Sequence, residues 1–114
     1  MFIAHDTVPP LDFDGLFIVD YTAGRDTRSS FAEITVPAGM SHRVSWSRRS
    51  DKYYYIVAGT IQFTLNGDVR TMSAGDVCLV PQGSRFAYWN SGSRDATLIL
   101  VHTPSFKLEC EVFE

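Results

Sequence analysis

The sequence predicts an all-β barrel or sandwich, on three observations. Short runs of alternating, strand-forming residues recur along the chain, about nine in all. Clusters of Gly, Pro, Asn and Asp break these runs roughly every eight to twelve residues. No stretch has the length and 3.6-residue apolar period of an amphipathic helix.

Taken in order, a short leader ends at Pro9-Pro10, and Leu16–Tyr21 is the first predicted strand, bounded by Gly15 and by the turn-rich Ala23-Gly-Arg-Asp26. Phe31–Val36 alternates and stops at Pro37-Ala-Gly39. Two strands follow, His42–Trp46 and Lys52–Ala58, joined by a polar loop carrying Arg48, Arg49, Ser50 and Asp51. The run Lys52-Tyr-Tyr-Tyr-Ile-Val-Ala58 is largely apolar on both faces, so its outer face calls for a second cover, which a homodimer would supply. After Gly59, Ile61, Phe63 and Leu65 alternate with polar residues, and Asn66-Gly67 marks a type I′ hairpin returning through Val69–Met72. Val77–Val80, Arg85–Trp89 and Ala96–His102 complete the strands. The tail 104–114 shows no clear period and is expected to lie across the outside of the barrel.

A chain of 114 residues and 12.8 kDa suits one domain with one core. Its 45% hydrophobic and 20% charged residues exclude disordered and collagen-like classes. A net charge of −3 argues against nucleic-acid binding, which needs a concentrated basic surface. Cys78 and Cys110 lack the CxxC spacing of zinc or redox sites, and no apolar run reaches membrane-spanning length. A cytoplasmic protein without a membrane partner is the expectation.

Two segments together resemble the cupin superfamily, in particular its small RmlC-like members. Gly39 and Gly59 stand at the two glycines framing the first cupin motif, and Gly75, Pro81, Gly83 and Asn90 match the second. The resemblance implies a double-stranded β-helix, or jelly-roll barrel: a core over about 30–103, N-terminal strands within 15–37, a C-terminal tail 104–114, and a homodimer. In metal-binding cupins, two histidines and a glutamate of the first motif and a histidine of the second hold the ion. Here those places fall on Ser45, Ser47, Lys52 and Phe86, none of which is a competent ligand for a divalent ion, so neither metal nor cofactor is expected. His42, Asp51 and His102 are the alternative donors. His42 faces outward in a regular strand and needs a bulge to turn in.

On this alignment, alternation points Ser45, Ser47, Lys52, Tyr54, Phe86 and Tyr88 into the barrel. Hydroxyls and aromatic faces around one cation suit a small organic ligand, anionic or sugar-like, held by Lys52. Lys52 paired with Asp51 or Glu33 over a filled aromatic core is the competing reading. A metal-independent isomerase, epimerase or lyase is a second possibility, with Lys52, Tyr54 and His102 as candidate catalytic residues. A homodimerisation domain without ligand is the third. Eight arginines against two lysines place Arg43, Arg48, Arg49 and Arg85 near the motifs, as an anion-recruiting rim or a solvated loop.

Overall fold

Two antiparallel sheets face each other in the computed structural model, which describes residues 1–114. The strands are β1 (Leu11–Phe13), β2 (Leu16–Asp20), β3 (Ser30–Val36), β4 (Ser41–Ser47), β5 (Asp51–Ala58) and β6 (Thr60–Leu65). Then follow β7 (Asp68–Ser73), β8 (Val77–Val80), β9 (Phe86–Trp89), β10 (Ala96–Thr103) and β11 (Glu111–Phe113). One sheet runs β1-β2-β3-β10-β5-β8 and the other β11-β4-β9-β6-β7, a jelly-roll arrangement. No helix is long and apolar enough to cross a membrane.

Alternation decides which side chains meet between the sheets. In β5, Lys52, Tyr54 and Ile56 are buried while Tyr53, Tyr55 and Val57 face outward. Tyr54, Phe63, Phe86 and Tyr88 pack as one aromatic layer, with ring centroids 5.2–6.2 Å apart. Positive φ angles at both Asn66 (48°) and Gly67 (84°) match the type I′ turn expected of that pair. Gly59 has φ +79°, and a Cβ there would stand 2.9 Å from the Cα of Ala96 and the carbonyl oxygen of Asp95, so the strand crossing needs glycine. Buried Asn90 donates through Nδ2 to the carbonyls of Val36 (2.9 Å) and Arg94 (2.7 Å), tying its loop to the end of β3.

The chain's two ends depart from the sequence-based expectation. Leu11–Phe13 adds a strand ahead of Leu16. The tail does not lie across the outside of the barrel: Glu111–Phe113 pairs with Ser47–Ser45 as the edge strand of the second sheet. A third departure lies in β4, whose pairing with β9 shifts register between His42 and Ser45. This irregularity turns His42 toward the barrel interior, the bulge that an inward His42 requires.

The outer face of the larger sheet is apolar and uncovered. Phe17, Phe31, Tyr53, Tyr55, Val77 and Leu79 are each 40–58% exposed there.

Candidate active site

A cavity of about 320 Å³ opens between the sheets, and its largely apolar lining includes an aromatic group and a charged group of side chains. The aromatic wall carries Phe13, His42, Tyr54, Tyr88 and Phe113. The charged wall carries Asp20, Lys52, His102 and Glu111. Strand order explains the charged wall: His102 of β10 lies directly opposite Lys52 of β5, and β11 brings Glu111 in from the other sheet.

Glu111 accepts a short hydrogen bond from the Lys52 ammonium, and the two side chains are 4% (Lys52) and 5% (Glu111) exposed. Lys52 also sits over the Phe86 ring, 4.6 Å from its centroid. Burial alone would push the Glu111 carboxyl up, but polar neighbours His102, Lys52 and Ser47 hold it well below the usual carboxylate range. Burial pulls Lys52 down and Glu111 opposes that shift. Lys52 is therefore not the free cation of the sequence-based reading, nor is it paired with Asp51 or Glu33. Asp51 accepts from the Gln82 amide at 2.8 Å, and Glu33 lies 3.8 Å from His5.

His42 packs against both Phe86 and Tyr88, its ring tilted and 5.1 and 5.0 Å from their centroids. Its Nδ1 is 2.7 Å from the Arg43 carbonyl oxygen. A carbonyl only accepts, so Nδ1 carries the proton and Nε2 is left with the lone pair. Burial, reinforced by the Lys52 charge, drives the His42 pKa from 6.5 to about 4 against the opposing pull of the Arg43 carbonyl and Glu111. His42 is thus a neutral base at physiological pH.

Two buried polar atoms have no partner in the protein, the Tyr88 hydroxyl and His102 Nε2. His102 Nε2 is 3.9 Å from Glu111 Oε1, beyond hydrogen-bonding reach. Burial lowers the His102 pKa and raises those of Tyr88 and Tyr54, so the imidazole is neutral and both phenols stay protonated. Orphaned polar atoms lining a cavity are what a ligand would satisfy.

The six inward-pointing residues expected to bind ligand are all buried, but only Lys52, Tyr54 and Tyr88 line the cavity. Ser45 donates to the Arg43 carbonyl at 3.1 Å. Ser47 accepts from the Arg49 and Ser50 amides at 3.1 and 2.9 Å, and Phe86 packs beneath His42 and Tyr54. Candidate catalytic residues Lys52, Tyr54 and His102 all reach the cavity, whereas Asp51 does not. His42, read from sequence as a donor that a bulge would have to turn inward, and Glu111, which the sequence did not single out, complete the site. The register shift in β4 supplies the bulge, and Glu111 stands in a tail without a clear period.

No arginine lines the cavity. Arg43 and Arg85 pair with Asp14 (3.0 Å) and Glu114 (2.7 Å), Arg49 bonds the Ser105 carbonyl (2.8 Å), and Arg48 stacks over Trp46. Arg43 also stands over the Phe113 ring, 5.5 Å from its centroid, so it alone of the four adjoins a cavity-lining side chain. At the four usual cupin ligand positions, the serines, the Glu111-bound ammonium and the phenyl ring do not fit a divalent ion. A larger groove of about 470 Å³ lies between β7 and β8, but its ionic pair Arg70–Asp68 is already satisfied at 3.1 Å and it holds no histidine or lysine.

Comparison with known proteins places this geometry in context. The family model described as "Cupin domain" matches residues 32–102. Pac13 of Streptomyces, described as a unique nucleoside dehydratase, superposes with a TM-score of 0.87 at 21% identity, over 100% of this chain and 90% of that one. Its histidine-to-glutamine variant and two tyrosine-to-phenylalanine variants, solved with uridine, superpose at 0.86–0.87 and 20–21% identity, over 99–100% of this chain and 89% of each of theirs. KdgF from Halomonas sp. gives 0.83 at 17% identity over 96% of both chains. In sequence, 85 residues are 28% identical to mannose-1-phosphate guanylyltransferase ManC of Salmonella typhimurium, covering 75% of this chain. The aligned part spans only 18% of that relative's length.

Proposed function

The chain belongs to the cupin domain family, and from that premise we propose that its cavity binds a small nucleoside-like sugar compound and moves a proton on it without a metal ion. The observation that carries the reading is one cavity holding a neutral His42 with a free Nε2 lone pair beside the unpartnered, protonated Tyr88 hydroxyl. Their environments keep His42 unprotonated and Tyr88 protonated at neutral pH, the proton states that a base and an acid start from. The residue types varied in the uridine-bound Pac13 structures, histidine and tyrosine, are those that meet here as His42, Tyr54 and Tyr88.

Loss of water fits these groups without a redox partner. In a β-hydroxy carbonyl form of the sugar, His42 Nε2 takes the proton from the carbon beside the carbonyl and the electron pair moves onto that carbonyl. As the pair returns, the β C–O bond breaks and the departing oxygen takes a proton from Tyr88. The imidazolium proton then restores the phenol, so the balance is substrate to alkene plus water. The same proton abstraction with reprotonation in place of water loss would give an isomerase or epimerase, and product analysis separates the outcomes.

Tyr88→Phe gives an immediate test with uridine as probe. Removing an unpartnered buried hydroxyl is expected to raise the melting temperature of the free protein, since the orphan costs about 1–3 kcal/mol. The same change is expected to weaken uridine binding about tenfold in calorimetry. If wild-type protein shows no uridine-dependent heat and no shift of His42 or Tyr88 resonances, the proposal fails.

The uncovered face of the larger sheet supports a homodimer as part of this reading, because an apolar patch of this kind usually marks an interface. Tyr53 and Tyr55 contribute to it from β5, which lies between β10 and β8. Tyr55→Lys is expected to dissociate the dimer while leaving the cavity, on the opposite face of β5, intact. Sedimentation equilibrium returning a 12.8 kDa monomer for the unaltered chain would refute it.

A further inference from the structure

We propose that the wall built from Lys52, His102 and Glu111 reads adjacent hydroxyl groups of an uncharged sugar and rejects phosphorylated or carboxylated ligands. The inference deepens the nucleoside reading and rests on it. Three observations carry it. First, the cavity's only cation is spent: the Lys52 ammonium is bound by Glu111, and Asp20 adds a second carboxylate at the same wall. With both imidazoles neutral, one ammonium faces two carboxylates, and an entering phosphate or carboxylate meets net repulsion.

Second, no guanidinium replaces the missing cation. Arginine forks are the usual device for holding phosphate or carboxylate, and none of the chain's arginines lines the cavity. Third, the unsatisfied group on this wall suits neutral hydroxyls. His102 is 5% exposed and its Nε2 has no partner, while Glu111 Oε1 lies 3.9 Å away. The two atoms are too far apart to bond each other and close enough to engage neighbouring hydroxyls of one sugar ring. A carboxylate accepts from a hydroxyl, and Lys52 retains donors beyond the one given to Glu111. The same cavity offers aromatic faces from Phe13 and Phe113, whose rings are 5.4 Å apart, to the apolar or heterocyclic end of the ligand.

Calorimetric titration of the unaltered protein with uridine, 2′,3′-dideoxyuridine and uridine 5′-monophosphate tests the inference without a variant. Uridine is expected to bind best. Removing both hydroxyls is expected to weaken binding about 10–100-fold, because the buried His102 Nε2 is then left without a partner and Glu111 loses its hydroxyl donor. The monophosphate is expected to bind at least about tenfold more weakly than uridine. His102→Leu is expected to narrow the gap between uridine and the dideoxy compound while preserving rejection of the phosphate. Monophosphate affinity equal to or above that of uridine, or a dideoxy compound binding as well as uridine, overturns the inference and leaves the nucleoside reading standing. Failure of all three to bind overturns both.

Discussion

Glu111→Ala is expected to destabilise the protein by about 3–5 kcal/mol, the cost of leaving a buried charge without its partner. For a chain of this size that corresponds to a fall of roughly 10–20 °C in melting temperature. The reason is geometric. Lys52 is only 3% exposed, and the aromatic layer of Tyr54 and Phe86 around it offers no other carboxylate within bonding distance. Cation–π contact with Phe86 contributes, but not enough to hold an unpaired ammonium out of water. The double substitution Lys52→Met with Glu111→Leu removes both charges and is expected to recover most of the loss, since apolar residues of similar volume often replace a buried ion pair without penalty. It should still fail to bind uridine, which separates the stability role of the pair from its binding role. A single Glu111→Ala variant melting within a few degrees of wild type would show that Lys52 is not held by Glu111.

That pair also marks the limit of what could be read from the sequence. Period-two alternation and turn chemistry exposed nine of the eleven strands and the inward faces of β4, β5 and β9. Both missed strands are three residues long, too short for a period to register. Lys52, Tyr54, Tyr88 and His102 were legible as candidates because a regular strand fixes which way alternate side chains point. His42 was legible only as a donor that a bulge would have to turn inward, because a register shift inverts that rule locally and sequence does not announce it. Glu111 was not, because its place depends on a non-local pairing of the tail with Ser47, across more than half the chain. Charge identity therefore misled: Lys52 read as an anion receptor until β11 delivered a carboxylate to it. Ser45 and Ser47 illustrate the converse, since facing inward is necessary for lining a cavity and does not ensure it. Their hydroxyls serve the backbone of the β4 strand and its turn.

His42 is expected to remain neutral from about pH 7 down to about pH 4, and this governs both stability and reactivity. Its folded pKa of about 4 lies below the ordinary 6.5 because burial disfavours the imidazolium and Lys52 repels it. Between those values the unfolded chain takes up a proton that the folded chain refuses. Stability is therefore fully present above about pH 6.5 and is lost as pH falls toward about 4. His102, shifted in the same direction, adds to this loss, and Glu111, held below the ordinary carboxylate value of 4.5, extends it to lower pH. Calorimetric melting temperatures should fall across this window, and His42→Gln should flatten the fall. A titration of the His42 ring by NMR with a midpoint near 6.5 would contradict the argument. The catalytic consequence has the opposite practical sense. A base that keeps its lone pair at pH 5 supports proton abstraction well into the acid range, so the rate of water loss from a β-hydroxy carbonyl nucleoside should hold until pH approaches about 4. His42→Gln should lower that rate by about 10²–10⁴ while changing uridine affinity far less, because a positioned base acts on the transition state rather than on the bound ground state.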